Sequence, residues 1–459
     1  MLIRSRREFM KATLRSVGAL GALGSLGKFG EMNALASVSS NYRAMVCIFL
    51  AGGNDGHNTV IPISVPSLQE GYSLYLQGRQ TLALPQASLQ TIQNGGDTYG
   101  LHPLMPEMAA LYNAGNAAVV ANVGTLVKPI NRATYLVNQN NLQDVPAQLF
   151  SHADQVNQWQ TTVPNGGAYT GWGGLAEDSL AAQNAGAAFS PITSTSGCGL
   201  FCTGQNTYAS TVPVGGASNL IGATDKNRLG AFQNMLAFDN GLKLVQAANT
   251  ITNRGVGFSQ ALNAAIATAK INTVFPNSVL GNQLKTVAKI VSIQSALGIN
   301  RQVFFCQLGG FDTHGAQIGN QDPLLQDLSQ SVSALYTSLS QELGADKDVV
   351  TFTASEFGRT LQPNGNAGTD HAWGSHHFVV GTGVNSGGSL RGGQFWGQFP
   401  SLALGGNDDA NGRGTLIPTT SVEQYAATLA SWFGVTAQNL PTVVPYIGNF
   451  PSANLGVLG

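Results

Sequence analysis

Charge is what this sequence has least of. Asp, Glu, Lys and Arg together make up 10% of its 459 residues, and 22 basic against 23 acidic side chains leave a formal net charge of −1. No basic block and no acidic tail breaks that balance, which excludes the electrostatic footprint of a nucleic-acid-binding protein. Long apolar runs are missing too. The stretch at residues 17–26 is mildly apolar and Gly-rich, short of the ~20 residues a spanning helix needs, so no stable membrane span is expected in the mature chain. No internal repeat stands out. Cysteine is scarce, four residues in all. Cys47 and Cys306 lie in apolar runs and read as core residues. Cys198 and Cys202 flank Gly199-Leu200-Phe201, where a small disulfide-closed loop is favoured over two free thiols; a zinc pair has no nearby histidine to complete it.

What is abundant is glycine, 57 residues. With so few charges the surface must be built largely from Asn, Gln, Ser and Thr. That suits long polar loops and argues against a helical bundle.

The N-terminus carries an address. Ser5-Arg6-Arg7-Glu8-Phe9-Met10-Lys11, the apolar stretch and Ala34-Leu35-Ala36 come in the order of a twin-arginine export signal with its cleavage site. Residues 1–36 are therefore expected to be removed, the export machinery to be a partner, and the mature chain to be periplasmic or secreted. Residues 37–459 are enough for one large α/β domain with insertions.

Apolar runs predict buried strands at residues 45–50, 117–124, 303–308, 349–353 and 377–381. Helical patterns follow at residues 103–112, 172–176, 324–343 and 422–433, with three further helical stretches at 228–248, 257–269 and 280–296. Residues 67–93 read as loop and helix pieces, and about 190–300 as a loop insertion with a helical subdomain. Strand–helix alternation implies a mostly parallel sheet with right-handed crossovers.

Several strand ends carry chemistry. The run at 45–50 opens into Gly52-Gly53-Asn54-Asp55-Gly56-His57-Asn58, which suits a turn as well as a site edge. The run at 303–308 leads to Asp312 and His314. The run at 349–353 leads to Ser355-Glu356-Phe357-Gly358-Arg359, then Asp370-His371 and His376-His377. So many carboxylates and imidazoles in a weakly charged chain exceed what packing requires. Asp and His make a competent set for a divalent metal, and Glu356 would serve as ligand or base. Arg359 would either clamp a tetrahedral oxyanion or pair with Glu356 and pin the loop. Asp370 and His371 alternatively form a hydrogen-bonded turn. Ser151 is an N-cap with Asp154 at the third helical position; a helix N-terminus also suits a hydroxyl nucleophile.

With these motifs in this order, the chain resembles the bacterial domain-of-unknown-function 1501 proteins, a twin-arginine-exported branch of the alkaline phosphatase/sulfatase superfamily. The resemblance rests on Gly52–Thr59, Ser151-His152-Ala153-Asp154-Gln155, Gly310-Phe311-Asp312-Thr313-His314, Ser355-Glu356-Phe357-Gly358-Arg359-Thr360, Gly368-Thr369-Asp370-His371 and Arg391-Gly392-Gly393. It implies a three-layer α/β/α sandwich, alkaline-phosphatase-like, and one or two divalent metals, usually zinc. The metals would activate a hydroxyl for attack on a small anionic phosphate or sulfate ester. Carried over, Asp55, Asp312, His314, Asp370, His371 and His376 are the metal ligands, and Ser151, Glu356 and Arg359 the catalytic residues. Asp-x-His replaces the superfamily's commoner Asp-x-x-x-His, Glu356-Phe357 replaces an Asp-His pair, and no nucleophile motif is declared. The other reading is a non-catalytic binding or assembly protein that keeps the fold.

Overall fold

Along Arg43–Ala51 successive side chains alternate between two apolar layers. Ala44, Val46, Ile48 and Leu50 join one buried cluster, Met45, Cys47 and Phe49 the other. A strand buried on both faces belongs to a sheet covered on both sides. The computed structural model describes residues 41–66, 70–185, 187, 189–197, 199–214, 225–238 and 241–459. The export signal expected at residues 1–36, and Cys198 of the expected disulfide loop, lie outside them.

The strands are β1 (Arg43–Ala51), β2 (Val60–Val65), β3 (Glu70–Gly71), β4 (Gln90–Asn94), β5 (Asp97–Leu101), β6 (Ala117–Gly124), β7 (Ile192–Ser194), β8 (Ser210–Thr211), β9 (Arg301–Gly309), β10 (Val349–Ala354), β11 (Ser375–Val380), β12 (Phe395–Trp396) and β13 (Thr420–Ser421). The central sheet runs β12-β6-β11-β10-β1-β9-β7-β8, with β13 also paired to β6. β1 lies parallel to both neighbours, Met45 standing opposite Val350 and Val303. β11 alone runs against its neighbours β10 and β6. Parallel neighbours are usually joined by a crossover helix, and the loop joining β10 and β11 carries none.

One face is covered by Leu280, Leu284 and Val287 of helix Val279–Ser292 and by Leu325, Leu328 and Val332 of helix Gln317–Thr337. The other is covered by Trp159 of His152–Thr161, Trp172 of Trp172–Ser179, and Tyr425 and Leu429 of Val422–Phe433. The result is an α/β/α sandwich around a mostly parallel sheet. The last of these helices opens on a full capping box between Ser421 and Gln424, so its first orphan N–H groups are satisfied. Because β1, β9 and β10 are parallel, their C-terminal ends reach one edge and deliver three loops there. Antiparallel β11 begins at that same edge.

Three expectations change. Residues 67–93, read as loop and helix pieces, contribute β3 and most of β4 to a second, antiparallel sheet of order β3-β2-β5-β4. β3, β4 and β5 are short and carry no continuous apolar run, and Pro62 interrupts the apolar residues of β2; the turn Asn94-Gly95-Gly96-Asp97, with Gly95 at φ +60°, is the hairpin signal. The helix expected at 228–248 is two helices, Lys226–Ala237 and Lys243–Thr268. The sequence between them includes Asp239-Asn240-Gly241, a turn signal, whereas Gly255 and Gly257 are absorbed into the second helix. The helix expected at 324–343 begins at Gln317 and carries Pro323 inside it. No helix among the described residues is long and apolar enough to cross a membrane.

Candidate metal centre

Gly52 lets two of the edge loops meet. It sits at φ +120°, and a Cβ there would lie 2.3 Å from the backbone nitrogen of Asp312. Only glycine permits that approach. The gap is then braced by Arg359. Its guanidinium donates to Gly53 O at 3.1 Å, Thr369 O at 2.7 Å and Gly52 O at 2.8 Å, and also to the Asp312 carboxylate. Arg359 is buried. Its fork therefore ties three loops together and holds Asp312, rather than reaching outward for an oxyanion or pairing with Glu356. Partial burial works against the Asp312 charge, but Arg359, with His314 and His152 adding to it, holds that carboxyl below its ordinary range.

Three histidines turn their Nε2 atoms toward Asp312. His371 Nε2 lies 3.4 Å from Asp312 Oδ1, His314 Nε2 3.1 Å from the same oxygen, and His152 Nε2 3.6 Å from Oδ2. Single ligand atoms from His152, Asp312 and His371 lie within 4.8 Å of one another. Each ring is aimed through its other nitrogen. His152 Nδ1 meets Glu356 Oε1 at 2.8 Å, His371 Nδ1 meets the Phe150 carbonyl at 2.7 Å, and His314 Nδ1 faces Asp370 Oδ1 at 3.4 Å. A carbonyl only accepts, so His371 carries its proton on Nδ1 and leaves Nε2 as a lone pair. Burial lowers the His371 pKa; the Phe150 bond opposes this, while Arg359, His152 and His314 add to the lowering. The ring is thus kept neutral and able to ligate. Imidazoles oriented by an acceptor behind them are how proteins present nitrogen to metals.

The donor set fits a divalent cation such as zinc, which takes His nitrogen and carboxylate oxygen at about 2.0–2.2 Å. The site is open: the side chains of His152, Asp312 and His314 are 36%, 49% and 46% exposed.

The structure brings Asp312 and His371 together with His152, with His314 beside them. Asp370 stands behind His314 and pairs with Arg413 at 2.7 Å. Glu356 is 2% exposed; its Oε1 accepts from Gly52 N at 2.9 Å as well as facing His152. It therefore stands behind His152 and holds that ring. Ser151 caps helix His152–Thr161, accepting from Asp154 N at 3.5 Å and donating to Asp154 Oδ2 at 2.5 Å.

Two expected ligands are placed elsewhere. Asp55 is buried, caps the short helix Gly56–Thr59, pairs with buried Arg79 and accepts from Gln317. Its carboxylate is spent on structure. His376 stacks on Phe399 at 4.7 Å, and its Nδ1 accepts from Asn122 N at 3.2 Å. Burial, with His57 and His377 close by, drives its pKa well below the ordinary value.

The residue missed in the sequence is His152. Its motif, Ser151-His152-Ala153-Asp154-Gln155, draws attention to the hydroxyl and the cap instead. With only seven histidines in the chain, one in the first turn of a helix at the sheet edge is the available signal. Phe150 is also missed. It sits at φ +72°, and a carbonyl position announces nothing in its side chain.

Sequence and structure comparisons place the chain among relatives. The family described as "Protein of unknown function (DUF1501)" matches residues 42–409. No curated protein matches the sequence. Similar solved structures include the zinc complex of the C-terminal periplasmic domain of EcEptC from Escherichia coli, at 10% identity and TM-score 0.30, covering 76% of this chain and 77% of that one. The lipoteichoic acid synthase LtaP from Listeria monocytogenes overlaps at 9% identity and TM-score 0.30, covering 84% and 78%. The sulfatase PsFucS1 from Pseudoalteromonas sp. overlaps at 10% identity and TM-score 0.29, covering 87% and 70%. Overlaps this loose carry no shared activity. The family match spans most of the chain, and the chain belongs to the DUF1501 family.

Proposed function

We propose that this DUF1501 protein holds a divalent cation, zinc by preference, on His152, Asp312 and His371, and hydrolyses phosphate or sulfate esters there. The observation that carries the reading is the convergence of single ligand atoms of two imidazoles and one carboxylate within 4.8 Å, each ring backed by an acceptor on its Nδ1. When bound, such a cation lowers the pKa of its water and polarises an ester oxygen.

The chain's own residues prepare that site. Glu356 fixes the tautomer and angle of His152, and the Phe150 carbonyl does the same for His371. Arg359 keeps Asp312 ionised and locks the three loops. His314 and Asp370 flank the ligand group, where they would steady a second cation or the substrate. Ser151 is the nucleophile expected from the sequence, yet its hydroxyl is engaged with Asp154. Water would therefore be the better nucleophile, with His152, Asp312 and His371 holding the cation that would activate it.

That engaged hydroxyl, with an arginine wholly spent on structure, also favours a second reading: a non-catalytic metal-binding protein that serves in assembly. Assays of chromogenic phosphate mono- and diesters and a sulfate ester, with zinc supplied, separate the two. Turnover that survives Ser151→Ala but not His371→Ala supports the hydrolase with a metal-held water. Turnover lost in both variants restores Ser151 as nucleophile. Metal binding with no turnover of any ester supports the second reading.

We infer also that the chain reaches the periplasm or medium through the twin-arginine route, on the strength of its N-terminal motif. Replacing Arg6 and Arg7 by Lys blocks that export if the inference holds; unchanged secretion contradicts it.

A further inference from the structure

Between β8 and β9 a helical hairpin stands out from the sandwich with an apolar surface in water. Helix Lys226–Ala237 has no buried residue. Asn249 Nδ2 donates to Phe238 O at 3.4 Å and ties it to helix Lys243–Thr268. On the two helix ends that flank the turn, Met235 is 69% exposed, Phe238 70%, Leu242 59%, Leu244 72% and Val245 36%. Taking roughly 150–200 Å² for each side chain, these residues leave about 500 Å² of apolar surface in contact with water. That is as large as the biggest patch on an ordinary monomer. A helix of twelve residues is also marginal in water without tertiary packing.

From these observations we propose that the hairpin is a self-association surface, and that its occupant is the same hairpin of a second copy of this chain. Two such faces and their rims reach the ~1,200 Å² at which specific interfaces begin. A two-fold axis pairs a patch with itself, and two helical hairpins packed face to face make a four-helix bundle. Charge favours this partner over a lipid surface. Residues 225–248 carry Lys226, Arg228 and Lys243 against Asp225 and Asp239, a net +1. That is too little to repel a second copy, and it falls short of the clusters of about 4–8 basic residues that bind anionic membranes. Asp225 is moreover occupied as the cap of its helix, accepting from Asn227 N and Arg228 N.

Sedimentation velocity on the purified chain across micromolar concentrations tests this. The wild type sediments as a dimer, and Met235→Glu with Leu244→Glu shifts it to monomer at the same concentration, with circular dichroism unchanged. Should the double charge unfold the hairpin, Leu244→Ser decides, raising the dimer Kd about tenfold. A monomeric wild type overturns the proposal, as does a dimer untouched by these substitutions. Binding of a monomeric wild type to phosphatidylglycerol vesicles, lost in the double variant, overturns it in favour of a membrane.

Discussion

His314 Nε2 and His371 Nε2 stand 2.9 Å apart. His371 Nδ1 is committed to the Phe150 carbonyl, so the nitrogen facing His314 is a lone pair. That lone pair accepts from His314 Nε2, whose other nitrogen faces the Asp370 carboxylate at 3.4 Å. A cation bound at His371 Nε2 would take the place of that shared proton. Asp312 Oδ1 lies 3.1 Å from one and 3.4 Å from the other, so the three groups converge as ligands of one divalent ion would. Removing His371 takes away together a candidate ligand and the acceptor that holds His314. His371→Ala is expected to abolish stoichiometric zinc binding, measured by calorimetry, while the protein stays folded because that side chain is 23% exposed.

Glu356 gives a subtler test. Glu356→Gln keeps an oxygen for Gly52 N but weakens the acceptor behind His152 Nδ1. Changes of this kind cost metal sites about 10–100-fold in affinity. The expected outcome is a zinc Kd raised within that range, with metal still binding. Unchanged affinity would remove Glu356 from the centre.

Asp55 is predicted to act oppositely. Asp55→Ala leaves the Arg79 guanidinium buried without its carboxylate. Breaking a buried pair in this way costs about 3–5 kcal/mol. Urea unfolding should show a loss of that order, while the folded fraction binds zinc as tightly as wild type. A large loss of zinc affinity without destabilisation would return Asp55 to the ligand set.

Glu423 makes stability depend on pH. Burial pushes its carboxyl up to about 8, against hydrogen bonds from its own backbone and Ser421, and its Oε2 has no partner. The sign follows from the two states. Below the unfolded value near 4.5 both states are protonated and the group is neutral to stability. As pH rises from there to about 8, the unfolded chain releases the proton and the folded one keeps it, so stability falls, by on the order of a few kcal/mol in full. Above about 8 the loss is complete. Thermal melts of Glu423→Gln should lack this decline and exceed wild type at mildly alkaline pH; parallel melting curves for the two proteins from acid to alkaline pH would contradict it.

The large sheet is legible in the sequence because β1, β6, β9 and β10 are continuous apolar runs buried on both faces. The small sheet is not, because β4 is polar and mostly unburied, and β5, though buried at Tyr99, Gly100 and Leu101, offers no continuous apolar run; a turn fixes their pairing. In the candidate centre, Asp312, His314 and His371 can be read from their place after strands. Asp55 follows a strand as they do, and nothing local distinguishes it. Its partner Arg79 is the last residue of helix Tyr72–Arg79, and an ion pair between a turn and a distant helix end leaves no spacing to read. His152 is hidden differently. Its motif also satisfies a helix cap, and only the fold shows which side chain of the motif faces Asp312.

The most direct test is the metal content of the folded protein, purified without chelators and measured by plasma mass spectrometry beside His152→Ala and His371→Ala. A metal centre built on His152, Asp312 and His371 predicts stoichiometric zinc, or another divalent ion, in the wild type and little in either variant. Wild-type protein that is folded, free of metal and unable to take up added zinc would contradict it.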